Sequence, residues 1–244
     1  MNKAQEFMDY SCRLIQTIAE QERESIEKAA DAVRKTMESG GMLYTYGTGH
    51  STMLCMEPFE RAGGLGACYP ILDERLMPHT VKKPEERFLE RDLGVTEEIF
   101  KRYPIKSGDS MFIFCYGGKN ATSIDAALLC KKMGVTGIGI SCVAQATAVG
   151  STHPSGLLLH QACDISIDTH GPVGDAAIDF GGFTACPIST IAGAAIVQAI
   201  TARTIELMLA DGESPEVLLS ANIPAGDKHN EPILEKYRRI IPFM

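Results

Sequence analysis

The chain has 244 residues, of which 45% are hydrophobic and 22% are charged. This composition is typical of a folded globular protein and excludes a disordered chain. Its 31 acidic and 23 basic residues give a net charge of −8, so a surface that binds nucleic acid is not expected. A chain of this length can bury one good core, and no stretch resembles a long linker, so residues 1–244 are predicted to form a single domain.

The eight cysteines are spread along the chain without any C-x-x-C pair, and several lie within apolar runs. This pattern predicts buried free thiols in a reducing compartment, and neither a disulfide framework nor a zinc site. The first residues carry no apolar signal region, so a cytoplasmic protein is expected. The apolar run over residues 188–210 is interrupted by Gln198, Arg203 and Glu206, which predicts a buried helix and no membrane span.

The first predicted element is a long N-terminal helix over about residues 3–39. Apolar residues recur at helical spacing from Phe7 to Met37, and Gly40-Gly41 ends the pattern. A helix of this length exceeds what one sheet needs for cover. Part of its apolar face is therefore expected to pack against a second copy, in a homodimer or a dimer of dimers.

An apolar strand over residues 42–46 then runs into the turn Gly47-Thr48-Gly49-His50-Ser51, which helical spacing follows over residues 52–62. Glycines let the backbone approach a ligand, and the N–H groups at a helix N-terminus can bind an anion. The turn lacks the third glycine of a dinucleotide-binding motif and the lysine of a P-loop. The same pattern also fits an ordinary strand-to-helix turn.

A second strand, turn and helix follow the same order. Residues 112–115 are apolar, Tyr116-Gly117-Gly118-Lys119-Asn120 forms the turn, and a helix begins near Ala121 with Thr122 and Ser123 in its first turn. Two glycine turns at the ends of two parallel strands direct two helix N-termini at one crevice. Together they are more specific for an anion site than either turn alone.

Apolar strands alternate with helices through the rest of the chain. Strands are predicted over residues 110–115, 135–141 and 163–168, and helices over residues 120–133, 188–210 and 231–239. This alternation indicates an α/β fold, a three-layer α/β/α sandwich around a mainly parallel, flavodoxin-like sheet. Residues 69–104 are less regular and fit either an excursion over the active face or a solvated connector.

These motifs resemble those of the sugar isomerase (SIS) domain family, and within it a group of uncharacterised bacterial phosphosugar-binding proteins. The matching segments span nearly the whole chain and are Gly47-Thr48-Gly49-His50-Ser51, Arg61-Ala62-Gly63-Gly64-Leu65, Gly118-Lys119-Asn120, His153-Pro154-Ser155-Gly156, Gly174-Asp175-Ala176, Ser189-Thr190-Ile191-Ala192-Gly193, Leu219-Ser220-Ala221-Asn222 and Gly226-Asp227-Lys228-His229-Asn230. The resemblance implies the SIS fold and a site for a small-molecule sugar phosphate, without a cofactor.

The resemblance also implies where the phosphate binds. In SIS domains a loop of S-x-S-G-x-T type after the second strand holds the phosphate, helped by a serine of the first glycine turn. Cys115 and Gly117 stand where the family has serines, so two hydroxyl donors are lost while the backbone N–H groups remain. The charge of Lys119 and the hydroxyls of Thr122 and Ser123 are expected to compensate. The implied ligand set is Gly47, Thr48, Gly49, Ser51, Gly117, Gly118, Lys119, Asn120, Thr122, Ser189 and Thr190.

Ser189 and Thr190 also fit a purely structural role, because hydroxyls after Pro187 cap the start of the long helix. Catalysis in SIS isomerases and related etherases resembles proton transfer next to a sugar carbonyl. The resemblance assigns the base to Glu57, with His50 or His229 as its partner. Spacing alone makes Glu57 a solvated helix residue and allows the loop histidines a structural role.

Metal binding by loop histidines and Asp175 lacks the spacing of a known metal motif, so no metal is predicted. The resemblance favours a sugar-phosphate isomerase that interconverts aldose and ketose. A sugar-phosphate lyase or etherase and a non-catalytic phosphosugar sensor are the alternatives. A stand-alone DNA-binding regulator is disfavoured because the chain has neither a helix-turn-helix module nor a basic patch.

Overall fold

The structure is a computed structural model that describes residues 2–80 and 89–244. Its central sheet has five parallel strands, which are β1 Leu43–Gly47, β2 Cys68–Ile71, β3 Ser110–Phe114, β4 Thr136–Ser141 and β5 Ile165–Asp168. Their spatial order is β2-β1-β3-β4-β5. Because β2 lies on one side of β1 and β3 on the other, the strand order reverses between β1 and β3. Open α/β sheets bind ligands beyond the carboxyl ends of the strands at such a switch point.

Nine helices lie in the described part of the chain. They are α1 Lys3–Gln21, α2 Arg23–Glu38, α3 Thr52–Met56, α4 Val95–Phe100, α5 Ala121–Met133, α6 Val143–Val149, α7 Leu159–Ala162, α8 Ser189–Ala210 and α9 Gly226–Arg238. A two-stranded antiparallel hairpin, β6 Ala176–Asp179 and β7 Thr184–Pro187, precedes α8. The hairpin is a separate small sheet and does not extend the central one.

Two clusters of buried side chains cover the two faces of the sheet. Met111 and Ile113 of β3 belong to a cluster with α4, α5, α7 and α9. Phe112 and Phe114 of the same strand belong to a cluster with α1, α2, α3 and α8. Successive strand residues point to opposite faces, so one continuously apolar strand serves both clusters. This arrangement confirms the predicted three-layer sandwich with its mainly parallel sheet.

The predicted N-terminal helix over residues 3–39 is two helices, α1 and α2, separated at Glu22. Glu22 has φ −101° and ψ 12°, and its Oε1 lies 2.8 Å from His170 Nε2 in the loop after β5. The residues around the break, Gln21-Glu22-Arg23-Glu24, offer no apolar side chain to hold a straight helix against the sheet. At the bend the helix is no longer continuous, and Glu22 contacts a loop residue 148 positions further along the chain.

Several other predicted elements have different bounds or were missed. The helix predicted over residues 52–62 ends at Met56, because Pro58 cannot donate a helical N–H. The last helix begins at Gly226, earlier than predicted. Strand β2 and the hairpin were not predicted, and β2 lies partly within the stretch expected to be irregular.

Two further features bear on the sequence predictions. Among the described helices, Ser189–Ala210 is the one that is long and apolar enough to cross a membrane, judged by length and composition alone. In the structure Ile196, Val197 and Ile200 of this helix are fully buried in the cluster that covers one face of the sheet. All eight cysteines are free thiols, and six of them are buried.

Two glycines of β4 give a matched test of the packing on one face of the sheet. A Cβ at Gly139 would lie 2.6 Å from Cys163 Sγ and 3.3 Å from Leu159 Cγ, whereas a Cβ at Gly137 would meet no atom closer than 3.5 Å. We expect Gly139→Ala to lower the free energy of unfolding by about 1–3 kcal/mol through overpacking. Gly137→Ala should leave it unchanged or raise it slightly. Urea unfolding measures both variants, and equal stabilities would contradict this packing.

Candidate active site at the switch point of the sheet

A cavity of about 130 Å³ opens beyond the carboxyl ends of the strands. It is formed where the first glycine turn, the start of the second turn, the loop after β5 and the N-terminus of α8 meet. Its polar lining residues are His50, Ser51, Tyr116, Thr169, Asp175, Ser189 and Thr190. Four predicted site residues, His50, Ser51, Ser189 and Thr190, are therefore brought together from the first turn and from α8.

The second glycine turn keeps unused hydrogen-bond donors. Gly118 has φ +60°, and a Cβ there would lie 2.9 Å from Cβ of Ala146, so this position requires glycine. Asn120 is the N-cap of α5, yet its side chain makes no capping hydrogen bond. Within residues 2–80 and 89–244, the backbone N–H groups of Lys119 and Asn120 donate to no acceptor.

The side chain of Lys119 adds a positive charge to this turn. It is half-buried and forms no ion pair with any residue that the structure describes. Because α5 has 13 residues, its dipole also favours an anion at this end. Free N–H groups, a helix N-terminus and an unpaired ammonium are the components of an anion site.

The N-terminus of α8, in contrast, already holds a carboxylate. Asp175 Oδ1 accepts hydrogen bonds from the backbone N of Ile188 at 3.1 Å and of Ser189 at 2.8 Å, and Oδ2 accepts one from Ser189 Oγ at 2.7 Å. This internal anion satisfies two of the N–H groups at the start of α8 and interacts favourably with its dipole. Ser189 therefore serves as part of a cap, while Thr190 lines the cavity beside it.

Two hydroxyls expected to compensate for the missing serines are used within the protein. Thr122 Oγ1 donates to the main-chain oxygen of Glu90 at 3.0 Å, and Ser123 Oγ donates to the main-chain oxygen of Asn120 at 2.8 Å. Both residues are buried. The charge of Lys119 and the backbone N–H groups are thus the donors that remain at the second turn.

The first glycine turn differs from the second in what surrounds it. Gly49 has φ +59°, and the following helix α3 has only 5 residues, so its dipole is small. Thr48 Oγ1 donates to Glu90 Oε2 at 2.9 Å, which places a carboxylate beside this turn. A like charge disfavours a second anion beside the first turn.

The two other predicted catalytic residues do not line the cavity. Glu57 lies just past the end of α3, where its carboxylate pairs with Arg61 and accepts a hydrogen bond from Gln198 Nε2 at 3.0 Å. His229 is exposed on α9, with Nε2 2.9 Å from the main-chain oxygen of Val217. His50 alone of the three lines the cavity, and the roles of Glu57 and His229 stay predictions.

The loop after β5 contributes two lining residues, Thr169 and Asp175, that were not in the predicted ligand set. Thr169 is 2% exposed, and its Oγ1 has no hydrogen-bond partner among the described residues. His170 and Asp175 in the same loop have positive φ values of 51° and 65°. Such conformations are strained in residues other than glycine and cluster at functional sites.

Tyr116 and the histidines complete the description of the site. Burial raises the pKa of Tyr116, whose hydroxyl donates to the main-chain oxygen of Pro172, so the phenol stays neutral. His153 lies between Asp125, at 3.1 Å, and Ser155, at 2.7 Å, which fixes its loop. No group of three or more histidine, cysteine or acidic side chains suited to a metal lies in the described ranges.

A parallel sheet with glycine turns at its switch point defines an α/β domain that binds a small ligand beyond its strands. Residues 6–142 match the model of the SIS domain. The chain is 36% identical over 232 residues to a UPF0309 protein of Geobacillus thermodenitrificans, which covers 94% of this chain and 93% of that protein. The chain belongs to the SIS domain family.

Solved structures with the same fold include an enzyme and a regulator. A phosphoheptose isomerase from Francisella tularensis superposes with a TM-score of 0.52 and 13% identity, covering 84% of this chain and 97% of that one. The sugar isomerase domain of an RpiR transcription factor from Sphaerobacter thermophilus superposes with a TM-score of 0.51 and 11% identity, covering 98% of this chain and 99% of that one. At these identities the superpositions establish the fold alone.

The unpartnered hydroxyl of Thr169 gives a stability test that needs no ligand. Thr169→Val removes a buried hydroxyl that has no partner, so the free energy of unfolding should stay the same or rise. Thr45 is the matched control, because it is also buried and its Oγ1 donates to the main-chain oxygen of Cys55 at 2.9 Å. Thr45→Val should lower the free energy of unfolding by about 1–3 kcal/mol. Equal losses in urea unfolding would show that Thr169 is satisfied within the protein.

Proposed function

We propose that this protein binds a sugar phosphate at the switch point, with the phosphate on the second glycine turn. The observation that carries the proposal is the set of unused donors there, namely the N–H groups of Lys119 and Asn120 and the unpaired Lys119 ammonium. Membership of the SIS domain family supports a phosphosugar as the anion. The neighbouring cavity, lined by hydroxyls and His50, has the polarity that sugar hydroxyls require.

The reaction that we propose is aldose-ketose isomerisation. A base removes the proton on the carbon next to the carbonyl, and the proton returns to the neighbouring carbon. His50 lines the cavity and is available for proton transfer to the sugar oxygens. The structural neighbour from Francisella tularensis is a phosphoheptose isomerase, which supports chemistry of this kind.

Sensing of a phosphosugar without catalysis is the second candidate. The observation that favours it is the engagement of Glu57 with Arg61 and Gln198 outside the cavity. To act as a base, the carboxylate of Glu57 would first have to break its contacts with both partners. The neighbour from Sphaerobacter thermophilus, a transcription factor with a sugar isomerase domain, supports the same alternative.

Gly117 allows a direct test of the phosphate position. A Cβ at Gly117 would meet no atom within 4 Å, and its φ is not in the left-handed region, so Ala and Ser both fit. We expect Gly117→Ser to tighten binding of sugar phosphates, because it restores a hydroxyl of the family loop, whereas Gly117→Ala should not. Thermal shift with inorganic phosphate and aldose and ketose phosphates of five to seven carbons measures this. Ligand at one hundred times its dissociation constant stabilises by about 2.7 kcal/mol.

Lys119→Gln tests the charge at the same turn. Removing one charge-assisted hydrogen bond of about 1.5–3 kcal/mol should weaken sugar-phosphate binding about tenfold or more. Lys132, which is exposed at the other end of α5, gives the matched control Lys132→Gln, with an unchanged dissociation constant. Equal effects of the two variants, or better binding of the unphosphorylated sugars, would place the anion elsewhere.

We also propose that the protein assembles as a homodimer through α1 and the tip of the hairpin. Only Ser11, Leu14 and Ile18 of α1 are buried, while Met8 is 58% exposed. At the hairpin tip Phe180 and Phe183 stack on each other, and Lys3 of α1 lies over the Phe180 ring. Because α1 packs against the hairpin, these exposed apolar groups lie on adjoining elements and suit contact with a second copy.

Light scattering at micromolar concentration should therefore report a dimer or a larger even assembly for the wild type. Phe183 is 66% exposed, and Leu209 at the end of α8 is 59% exposed, so the two residues form a matched pair. Phe183→Ser should shift the protein toward the monomer, and Leu209→Ser should not. A wild-type monomer, or dissociation by both variants alike, would contradict this surface.

A further inference from the structure

The carboxylate that lies at the switch point belongs to Glu90. Its Oε2 accepts the hydrogen bond of Thr48 Oγ1 at 2.9 Å and lies 3.8 Å from the position of a Cβ on Gly49. Its main-chain oxygen accepts the hydrogen bond of Thr122 Oγ1 at 3.0 Å. Thr48 belongs to the turn after β1, and Thr122 to the first turn of α5 after β3. Glu90 is therefore joined to the first glycine turn and to the helix that follows the second one.

No cation within residues 2–80 and 89–244 neutralises the charge of this carboxylate. Glu90 is half-buried, and no lysine, arginine or histidine among the described residues forms an ion pair with it. Its side chain receives one hydrogen bond, from the neutral hydroxyl of Thr48. A carboxylate has about four lone-pair sites, so Glu90 keeps the capacity to accept a proton.

Three other carboxylates, those of Glu57, Asp73 and Asp175, are committed to partners. Glu57 pairs with Arg61 and Gln198. Asp73 is buried, and although burial opposes the charged form, Arg75 and Arg102 lower its pKa to about 2. Asp175 caps α8 with three hydrogen bonds. Glu90 differs from all three because its carboxylate lies beside the first glycine turn and forms no ion pair with any described residue.

The surroundings of Glu90 also suit a base. Gly49 carries no side chain, so the backbone of the first turn leaves the approach to Oε2 open on that side.

We propose that Glu90 is the general base that removes the proton from the carbon next to the sugar carbonyl, an inference that rests on the function proposed above. The carbon–hydrogen bond breaks, the proton goes to the Glu90 carboxylate, and the electron pair forms the double bond of an enediol. His50, which lines the cavity, gives a proton to the former carbonyl oxygen and later takes one back from the neighbouring hydroxyl. Protonated Glu90 then returns its proton to the other carbon, so atoms and charge balance and no oxidant is required.

The test compares wild type and Glu90→Gln in deuterated water with sugar phosphates that bind in thermal shift. The glutamine amide oxygen still accepts the Thr48 hydrogen bond, so the contact between the loop and the first turn is retained. We expect binding to be unchanged and deuterium incorporation next to the carbonyl to fall by about 10²- to 10⁴-fold. The matched control is Asp92→Asn, an exposed carboxylate two residues further on, which should exchange deuterium like the wild type.

Three outcomes would overturn the role of Glu90. The first is undiminished exchange in Glu90→Gln, especially if Glu57→Gln loses it. The second is a loss of binding and exchange together, which would make Glu90 a structural tie between the turns. The third is binding of sugar phosphates by the wild type without deuterium exchange, which would contradict the role of Glu90 as a base but not the binding of phosphosugars. If no sugar phosphate binds to the wild type, the proposed function itself fails.

Discussion

The contact between Asp175 and the N-terminus of α8 is the interaction on which this site depends. The carboxylate accepts hydrogen bonds from two backbone N–H groups and from the Ser189 hydroxyl. It thereby caps a 22-residue helix without an external anion. The same contact fixes the loop after β5 to the base of the hairpin. A carboxylate thus lies at the N-terminus of α8, whereas the second turn carries the ammonium of Lys119, so these two sites differ in charge.

A ligand with one charged end and one uncharged end would therefore bind in a single orientation. The N–H groups near Lys119 favour a dianion, whereas the floor of the cavity has the uncharged hydroxyl of Thr169 and the carboxylate of Asp175. A sugar phosphate has the same asymmetry, with charge at one end and hydroxyls at the other. The carboxylate of Glu90 lies beside the first glycine turn, and its main-chain oxygen contacts the first turn of α5.

The sequence predicted the parts of the fold that depend on local pattern. Strands β1, β3, β4 and β5 could be predicted from apolar runs of strand length. The turn before α5 could be predicted from its glycines. The break at Glu22 was missed because its cause is His170, a partner 148 residues away. Strand β2 was missed because it has 4 residues and contains Pro70. In the site, Thr169 and Glu90 were missed because single polar residues in irregular segments carry no periodic signal.

Pro70 has a consequence for how the sheet ends. Strand β2 is an outermost strand, and an open edge is a template on which foreign strands can add and start aggregation. This edge is short, all four of its residues are buried, and proline removes one of the N–H groups that such pairing would use. Association of copies through the edge of β2 is thereby disfavoured.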